Sequence, residues 1–331
     1  MLSFLKHSCK ILLRILFCFI LILAFIWGGF AFWYQLPGGK FVFYLVIIVW
    51  AILGFFIILG EWRPKWRWKT RSLALLLLVV FASWWITIRP SLTLNWDPAL
   101  AHTMTGAVEG NIVHVKNIRD FDWITPDEGK PHWFDATYDL DTITGVDVYA
   151  SYWMGPWISH TLVGFNFADG RHLVFSAEIR RQKGQQFDAI GGFFKEFNLA
   201  LLVATEEDII FLRSNIRKED VYRYPLNISK DKAKELFLLY TEVGNKLSQE
   251  AHFYNTITTN CTTVIFKMVR VLDPGIPSDW RILISGKLPG YLYDHGFVDT
   301  KLSLEEVKKN AHIGPEAEGP RDGYSQRIRQ K

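Results

Sequence analysis

The chain has 331 residues, 50% of them hydrophobic and 15% aromatic, with a formal net charge of +4. Much of the positive charge flanks apolar segments in the first 90 residues, and no basic groove with interleaved aromatics follows, which excludes nucleic acid as a partner. Of its three cysteines only Cys261 lies beyond residue 18, so the C-terminal part has no partner for an intrachain disulfide.

Residues 11–34 form a long apolar run broken by Arg14, and residues 41–60 and 72–88 carry no charge. Each is near the roughly 17–25 residues that span a bilayer, which predicts three transmembrane helices within residues 1–90. A cleaved signal peptide does not fit the first run, which is long, lacks a small-x-small site and precedes two further spans. Lys6, Lys10 and Arg14 flank the first span, and Arg63, Lys65, Arg67, Lys69 and Arg71 follow the second, against Lys40 alone in the first connection. Positive loops stay inside, so the N-terminus is expected in the cytoplasm and everything after Arg89 outside. Trp62, Trp66 and Trp68 on one side, and Trp84 and Trp85 on the other, suit interfacial anchors. In a bacterium this makes a multi-pass inner-membrane protein with a periplasmic C-terminal domain.

Residues 91–110 read as an exit linker, 111–309 as one folded domain, and 310–331, rich in Gly, Pro and charge, as a disordered tail. Alternation predicts a strand over Asn111 to Ile118, and a second extended segment runs from Thr137 to Ala150. Its Asp139, Asp141 and Asp147 lack EF-hand spacing and read as a solvated strand face. A hairpin is predicted from 158–167 and 171–179 about the turn Ala168-Asp-Gly170. Asp208 to Arg213 and Val221 to Leu226 read as short strands, and Asp231 to Glu250 as an amphipathic helix capped by Ser229.

Val264, Ile265, Met268, Val269 and Leu272 recur at helical spacing and put Cys261 near a helix N-terminus. Orphan N–H groups and the positive dipole end there favour a thiolate. A reactive thiol is expected, the alternatives being a small buried core residue or a cysteine paired with another molecule. Eight histidines follow the membrane region, none pairing at zinc-ligand spacing, so no metal and no cofactor is expected. His160 stands out through its hairpin partner. An odd turn pairs Phe167 with Arg171 and so sets Glu178 opposite His160, on one face of the sheet, whereas a two-residue turn would put Glu178 on the other face. A carboxylate there supports the imidazolium that a Cys–His nucleophile system needs. His172 lies about six strand positions from His160, roughly 20 Å, and reads as structural. Arg180 and Arg181 are candidates for a phosphate headgroup, Tyr254 and Asn255 for the pocket wall, Asn260 for helix cap or polariser, and Thr262 for the oxyanion site.

His on a strand, a polar residue on the return strand, then Asn-Cys at a helix start resembles the circularly permuted NlpC/P60 group of papain-like thiol enzymes, which includes the lecithin:retinol acyltransferase-like proteins. More closely, residues from about 115 to 300 resemble the Lnb N-terminal periplasmic domain. The matching pieces are Ser159-His-Thr161, Ser176-Ala-Glu-Ile-Arg180, Glu207-Asp-Ile-Ile-Phe-Leu-Arg213, Tyr224-Pro-Leu226, Tyr254-Asn-Thr256, Asn260-Cys-Thr-Thr263 and Asp279-Trp-Arg281. The resemblance implies an α+β papain-like fold with Cys261 as nucleophile and His160 as base. It also implies work on lipoproteins, the namesake being a lipoprotein N-acyltransferase of the cell envelope. One departure is that the membrane helices of the namesake follow its periplasmic domain, whereas here they precede it. The expected function is a membrane-anchored thiol acyltransferase or hydrolase acting on phospholipid or lipoprotein acyl groups. A peptidoglycan or peptide amidase and a non-catalytic envelope binding module are the alternatives.

Overall fold

The computed structural model describes residues 2–330, with side chains from residue 7 onward, and divides into two units. The first contains the chain up to Pro90 together with Ala189–Glu196. Its helices α1 (Leu2–Gln35), α2 (Gly39–Glu61) and α3 (Arg67–Thr87) include three stretches long and apolar enough to cross a membrane. The turn between α1 and α2 uses Gly38 at φ 106°, a left-handed conformation open to glycine. Small residues let these two helices approach. A Cβ added to Gly54 would meet the Phe25 ring at 2.8 Å, and one on Gly28 the Trp50 ring at 2.7 Å. Trp50 Nε1 donates to the Phe25 carbonyl at 2.8 Å. Buried Glu61 accepts a bidentate pair from Arg71 at 2.9 and 2.7 Å, which ties α2 to α3.

Within the same unit, Phe194 packs its ring on Trp27, Phe30 and Tyr34, with centroids 5.4–5.7 Å apart. Its carbonyl accepts from Gln35 Nε2 at 2.8 Å, and Lys195 Nζ donates to the Trp85 carbonyl at 2.7 Å.

The second unit, Ser91–Asp188 with Phe197–Lys331, is α+β. Its strands are β1 (Thr105–Glu109), β2 (Ile112–Arg119), β3 (Asp122–Trp123), β4 (Gly129–Lys130), β5 (Trp133–Asp139), β6 (Ile143–Tyr152), β7 (Ser159–Phe167), β8 (His172–Arg180), β9 (Asn198–Thr205) and β10 (Asp220–Pro225). The main sheet runs β1-β2-β9-β8-β7-β6-β10, with β5 also on β2; β2 and β9 pair in parallel and the other neighbours are antiparallel. Helices α4 (Glu206–Phe211), α5 (Lys230–Gln249), α6 (Cys261–Leu272), α7 (Leu288–Asp294), α8 (Leu304–Ala311) and α9 (Tyr324–Arg327) complete it.

Alternate residues of the central strands feed two cores. Val163, Phe165, Phe175, Leu201 and Val203 pack with Phe237 and Tyr240 of α5. Leu162, Val174, Leu202 and Ala204 face α4 and the C-terminal segment with Tyr324 and Ile328. Phe167 N donates to the Arg171 carbonyl at 3.1 Å, and the pairs Val163↔Phe175 to Asn166↔His172 have the odd-turn register expected for the hairpin.

Four expectations are corrected. Residues 206–211 are helical, not a strand. Thr205 accepts from Asp208 N as N-cap, and Glu206, Glu207 and Asp208 fill the first turn, where carboxylates are stabilised by the positive end of the helix dipole. The segment read as linker contains β1, bonded along β2. The tail is ordered. Tyr324 is fully buried, and Arg329 donates to Glu206 Oε2 at 2.6 Å and Glu206 Oε1 at 2.7 Å, answering a carboxylate that is itself fully buried. Finally, Thr137 to Ala150 is two strands separated by a turn at Leu140–Thr142. Its Asp147 is buried against Arg223 at 3.1 Å and does not lie on a solvated face.

Candidate active site

Two strand ends and one helix start converge on the site. His160 is the second residue of β7, paired across β6 with Ser151. Continuing the hairpin register brings Glu178 of β8 opposite it. His160 Nε2 lies 3.1 Å from Glu178 Oε1 and 2.7 Å from Ser176 Oγ, whose hydroxyl donates to that same carboxylate oxygen at 2.7 Å. Ser176 stands two residues before Glu178 and therefore shares its face.

The Glu178 carboxylate is held from behind. Buried Arg213, just beyond α4, reaches Glu178 Oε1 at 3.2 Å and Glu219 Oε2 at 3.3 Å. Glu219 accepts from Ser151 Oγ at 2.5 Å, closing a ring of polar contacts back to the strand beside His160. No role was assigned to Ser176, Arg213 or Glu219 from sequence. The period-2 spacing of Ser176 from Glu178 was the available signal for the first, and the matching piece that ends at Arg213 for the second; none existed for Glu219.

Cys261 opens α6. Asn260 Oδ1 accepts from Thr263 N at 2.8 Å, and Thr263 Oγ1 accepts from Asn260 N at 2.9 Å, a reciprocal cap. Asn260 is thus the helix cap, with Nδ2 on the Thr256 carbonyl at 2.8 Å, and is not a polariser of the site. Asn255 folds the preceding loop, its Oδ1 accepting from Ile257 N at 3.1 Å and Thr258 N at 2.9 Å. Thr262 Oγ1 lies 3.0 Å from Thr161 Oγ1 and fastens the helix start to β7. The N–H groups of Cys261 and Thr262 lie in the first turn, outside the intrahelical ladder.

Electrostatics couple the three groups. Burial works against a charged His160, yet Glu178 and the Cys261 sulfur, also its hydrogen-bond partner, push the imidazole up to about 9. Burial likewise opposes ionisation of Glu178, but the imidazolium holds its carboxyl well below the usual range. For Cys261, burial raises the thiol; the His160 charge and hydrogen bond, the Thr161 N–H and the Thr262 hydroxyl outweigh it and lower the pKa. The charges around the site therefore favour a thiolate beside an imidazolium. Burial, with the Cys261 and Glu178 charges, raises the Tyr254 phenol and keeps it neutral near the site.

Two candidate ligand-binding residues are committed elsewhere. Arg180 donates from Nε to the Leu100 carbonyl at 3.0 Å and from Nη2 to the Ala101 carbonyl at 2.6 Å, and stacks 4.3 Å from the Trp96 ring centre. Burial lowers it to about 10. Arg181 approaches Asp97 at 3.7 Å. Arg180 thus holds the segment before β1 and is not free for a phosphate headgroup. His172 sits beside the hairpin turn with Nδ1 2.7 Å from Asn166 Oδ1. Among the described residues, no group of His, Cys, Asp and Glu could hold a metal ion.

Three helices long and apolar enough to span a membrane, followed by an α+β domain with a Cys–His–Glu cluster, define a membrane-anchored α+β protein. Residues 129–286 match the family model of the Lnb N-terminal periplasmic domain, a span that includes Cys261, His160 and Glu178. This part of the chain is thus similar to the Lnb N-terminal periplasmic domain. Searches of curated proteins and of solved structures found no match.

Proposed function

We propose that this protein is a membrane-anchored thiol acyltransferase or hydrolase acting on lipid or lipoprotein acyl groups, with a papain-like, NlpC/P60-related mechanism. The observation that carries the reading is the His160–Glu178 pair at 3.1 Å, with the Cys261 sulfur electrostatically coupled to the same imidazole. The Cys261 thiolate attacks an ester carbonyl, and the first-turn N–H groups of Cys261 and Thr262 face the developing oxyanion. Collapse breaks the C–O bond, His160 gives its proton to the departing alkoxide, and a thioester remains on Cys261. An amine or water then loses a proton to His160 and attacks the thioester; the C–S bond breaks and the thiolate returns. Glu178 stays ionised throughout and supports the imidazolium.

The loop charges support an N-terminus in the cytoplasm, with the thiol domain on the periplasmic face of a bacterial inner membrane. A phospholipid or lipoprotein is the substrate class that membrane anchorage favours.

The test is intact-protein mass spectrometry after incubation with phospholipid vesicles of one defined acyl chain. A hydroxylamine-labile increment equal to that acyl group, located on Cys261 and absent from Cys261→Ser, is expected. Turnover of an amide substrate without an acyl increment would move the function to the amidase reading, and no modification or turnover of any acyl or amide substrate would leave a binding module.

A further inference from the structure

The periplasmic domain carries exposed apolar side chains at the end of the sheet where the site stands. Strands β6, β7 and β8 bring residues 152, 159 and 180 to that end, and the hairpin turn with His172 to the other. The β6–β7 loop exposes Trp153, Met154, Trp157 and Ile158, all more than a third accessible, and Ile158 lies two residues before His160. Phe187 is exposed in the segment after β8, and its ring meets Trp153 edge-on at 5.4 Å, so the two loops form one patch. Ile257, also exposed, lies four residues before Cys261.

What covers this patch is indicated by its surroundings. Lys287 Nζ sits 4.1 Å over the Trp157 ring, placing a cation beside an exposed aromatic, the pairing found at the headgroup level of anionic membranes. Chain continuity supplies the second argument. Two residues past Phe187 the chain enters Ala189–Glu196, the segment that groups with the spanning helices. There Phe194 packs on Trp27 and Phe30, which lie eight and five residues before the end of α1. At about 3.8 Å per residue, Phe187 is within roughly 8 Å of the start of that segment.

We infer that Trp153, Met154, Trp157, Ile158 and Phe187 form a lipid-facing rim that dips into the outer leaflet of the membrane this chain spans, so that the end of the sheet bearing His160 faces the bilayer. An acyl chain could then pass from the leaflet to the thiol without crossing water. The rim itself is independent of catalysis. Only its use as an acyl entrance rests on the function proposed above.

The full chain in nanodiscs of phosphatidylethanolamine and phosphatidylglycerol tests it, in a Cys9→Ser, Cys18→Ser, Cys261→Ser background with single nitroxide labels. Labels introduced by Trp157→Cys and Phe187→Cys should show an oxygen-to-nickel-chelate collision ratio several-fold above labels at Ile124→Cys and Val271→Cys, exposed apolar sites at 65% and 68% accessibility away from the rim. Equal ratios at all four positions overturn the proposal, as does shielding of the rim labels from both colliders, which would mark a protein partner or a second copy. Because this background lacks the thiol, failure of the enzyme reading does not alter the readout. For the entrance role, Trp157→Ser with Phe187→Ser should reduce several-fold the acylation of Cys261 from vesicles. Its labelling by a small water-soluble thiol reagent should stay unchanged. Parallel loss of both would mean a damaged site and would overturn the entrance role.

Discussion

His160 and Glu178 stand across the β7–β8 hairpin with Nε2 and Oε1 3.1 Å apart, and Ser176 Oγ touches both. The carboxylate raises the imidazole pKa, and the imidazole in turn lowers that of the Cys261 thiol. Removing any one changes the charge state of the others.

Cys261→Ser should abolish thiol-dependent turnover without unfolding the domain, since serine preserves size but is a far weaker nucleophile at neutral pH. His160→Ala should lower turnover by about 10²–10⁴-fold, the ordinary worth of general acid–base catalysis. A Cys261 that reacts with thiol reagents only after denaturation would be an inert core residue.

The pH dependence has a definite sign. Cys261 is depressed because His160 is charged beside it, so its alkylation should persist at pH values where an ordinary thiol, near pKa 8.5, is protonated. With His160 raised to about 9, the charged pair exists below that pH and above the depressed thiol pKa. Glu178→Gln removes the support for the imidazolium, so the upper midpoint of the activity profile should fall, with a smaller loss of rate than Cys261→Ser causes. Unmoved midpoints in the pH–rate profile would dismiss Glu178.

Arg213 is buried between two carboxylates, Glu178 and Glu219. Arg213→Met leaves both without their shared cation and should destabilise the domain by about 3–5 kcal/mol, as breaking a buried pair does. Thermal melts of the full chain read this directly. Combining it with Glu219→Gln should recover part of the loss, since one of the stranded charges is gone.

The C-terminal segment is part of the core. Tyr324→Ala should cost about 3–5 kcal/mol, the range for deleting a large buried ring, and lower the Tm accordingly. An unchanged Tm would show that the segment contributes nothing to stability.

For orientation, a reporter active only outside the cytoplasm should function when fused after Lys331 and stay silent when inserted near Lys65. The five basic residues from Arg63 to Arg71 are the basis, and the reverse pattern would invert the topology.

The sequence by itself determined the elements whose signal is local. Charge-free apolar runs define the spans because bilayer thickness sets their length. The sequence located the hairpin about Ala168-Asp-Gly170 but left two turn lengths open; the fold chose the odd one, and a period of two then dictates which residue faces His160. The start of α6 is written in its cap and apolar spacing. Less was legible where burial on both faces erases alternation: β9, Asn-Leu-Ala-Leu-Leu-Val-Ala-Thr, has no period to read and was missed. The short apolar run after Thr205 fits strand or helix by pattern alone, although its threonine followed by three carboxylates was an unused capping signal. Tertiary structure alone decided the partners of long charged side chains. Arg180 goes to the carbonyls of Leu100 and Ala101, Arg213 to Glu178 and Glu219, and Arg329 to Glu206. A buried ion must be answered by whatever the folded chain brings within 3–4 Å, and no spacing along the sequence encodes that distance.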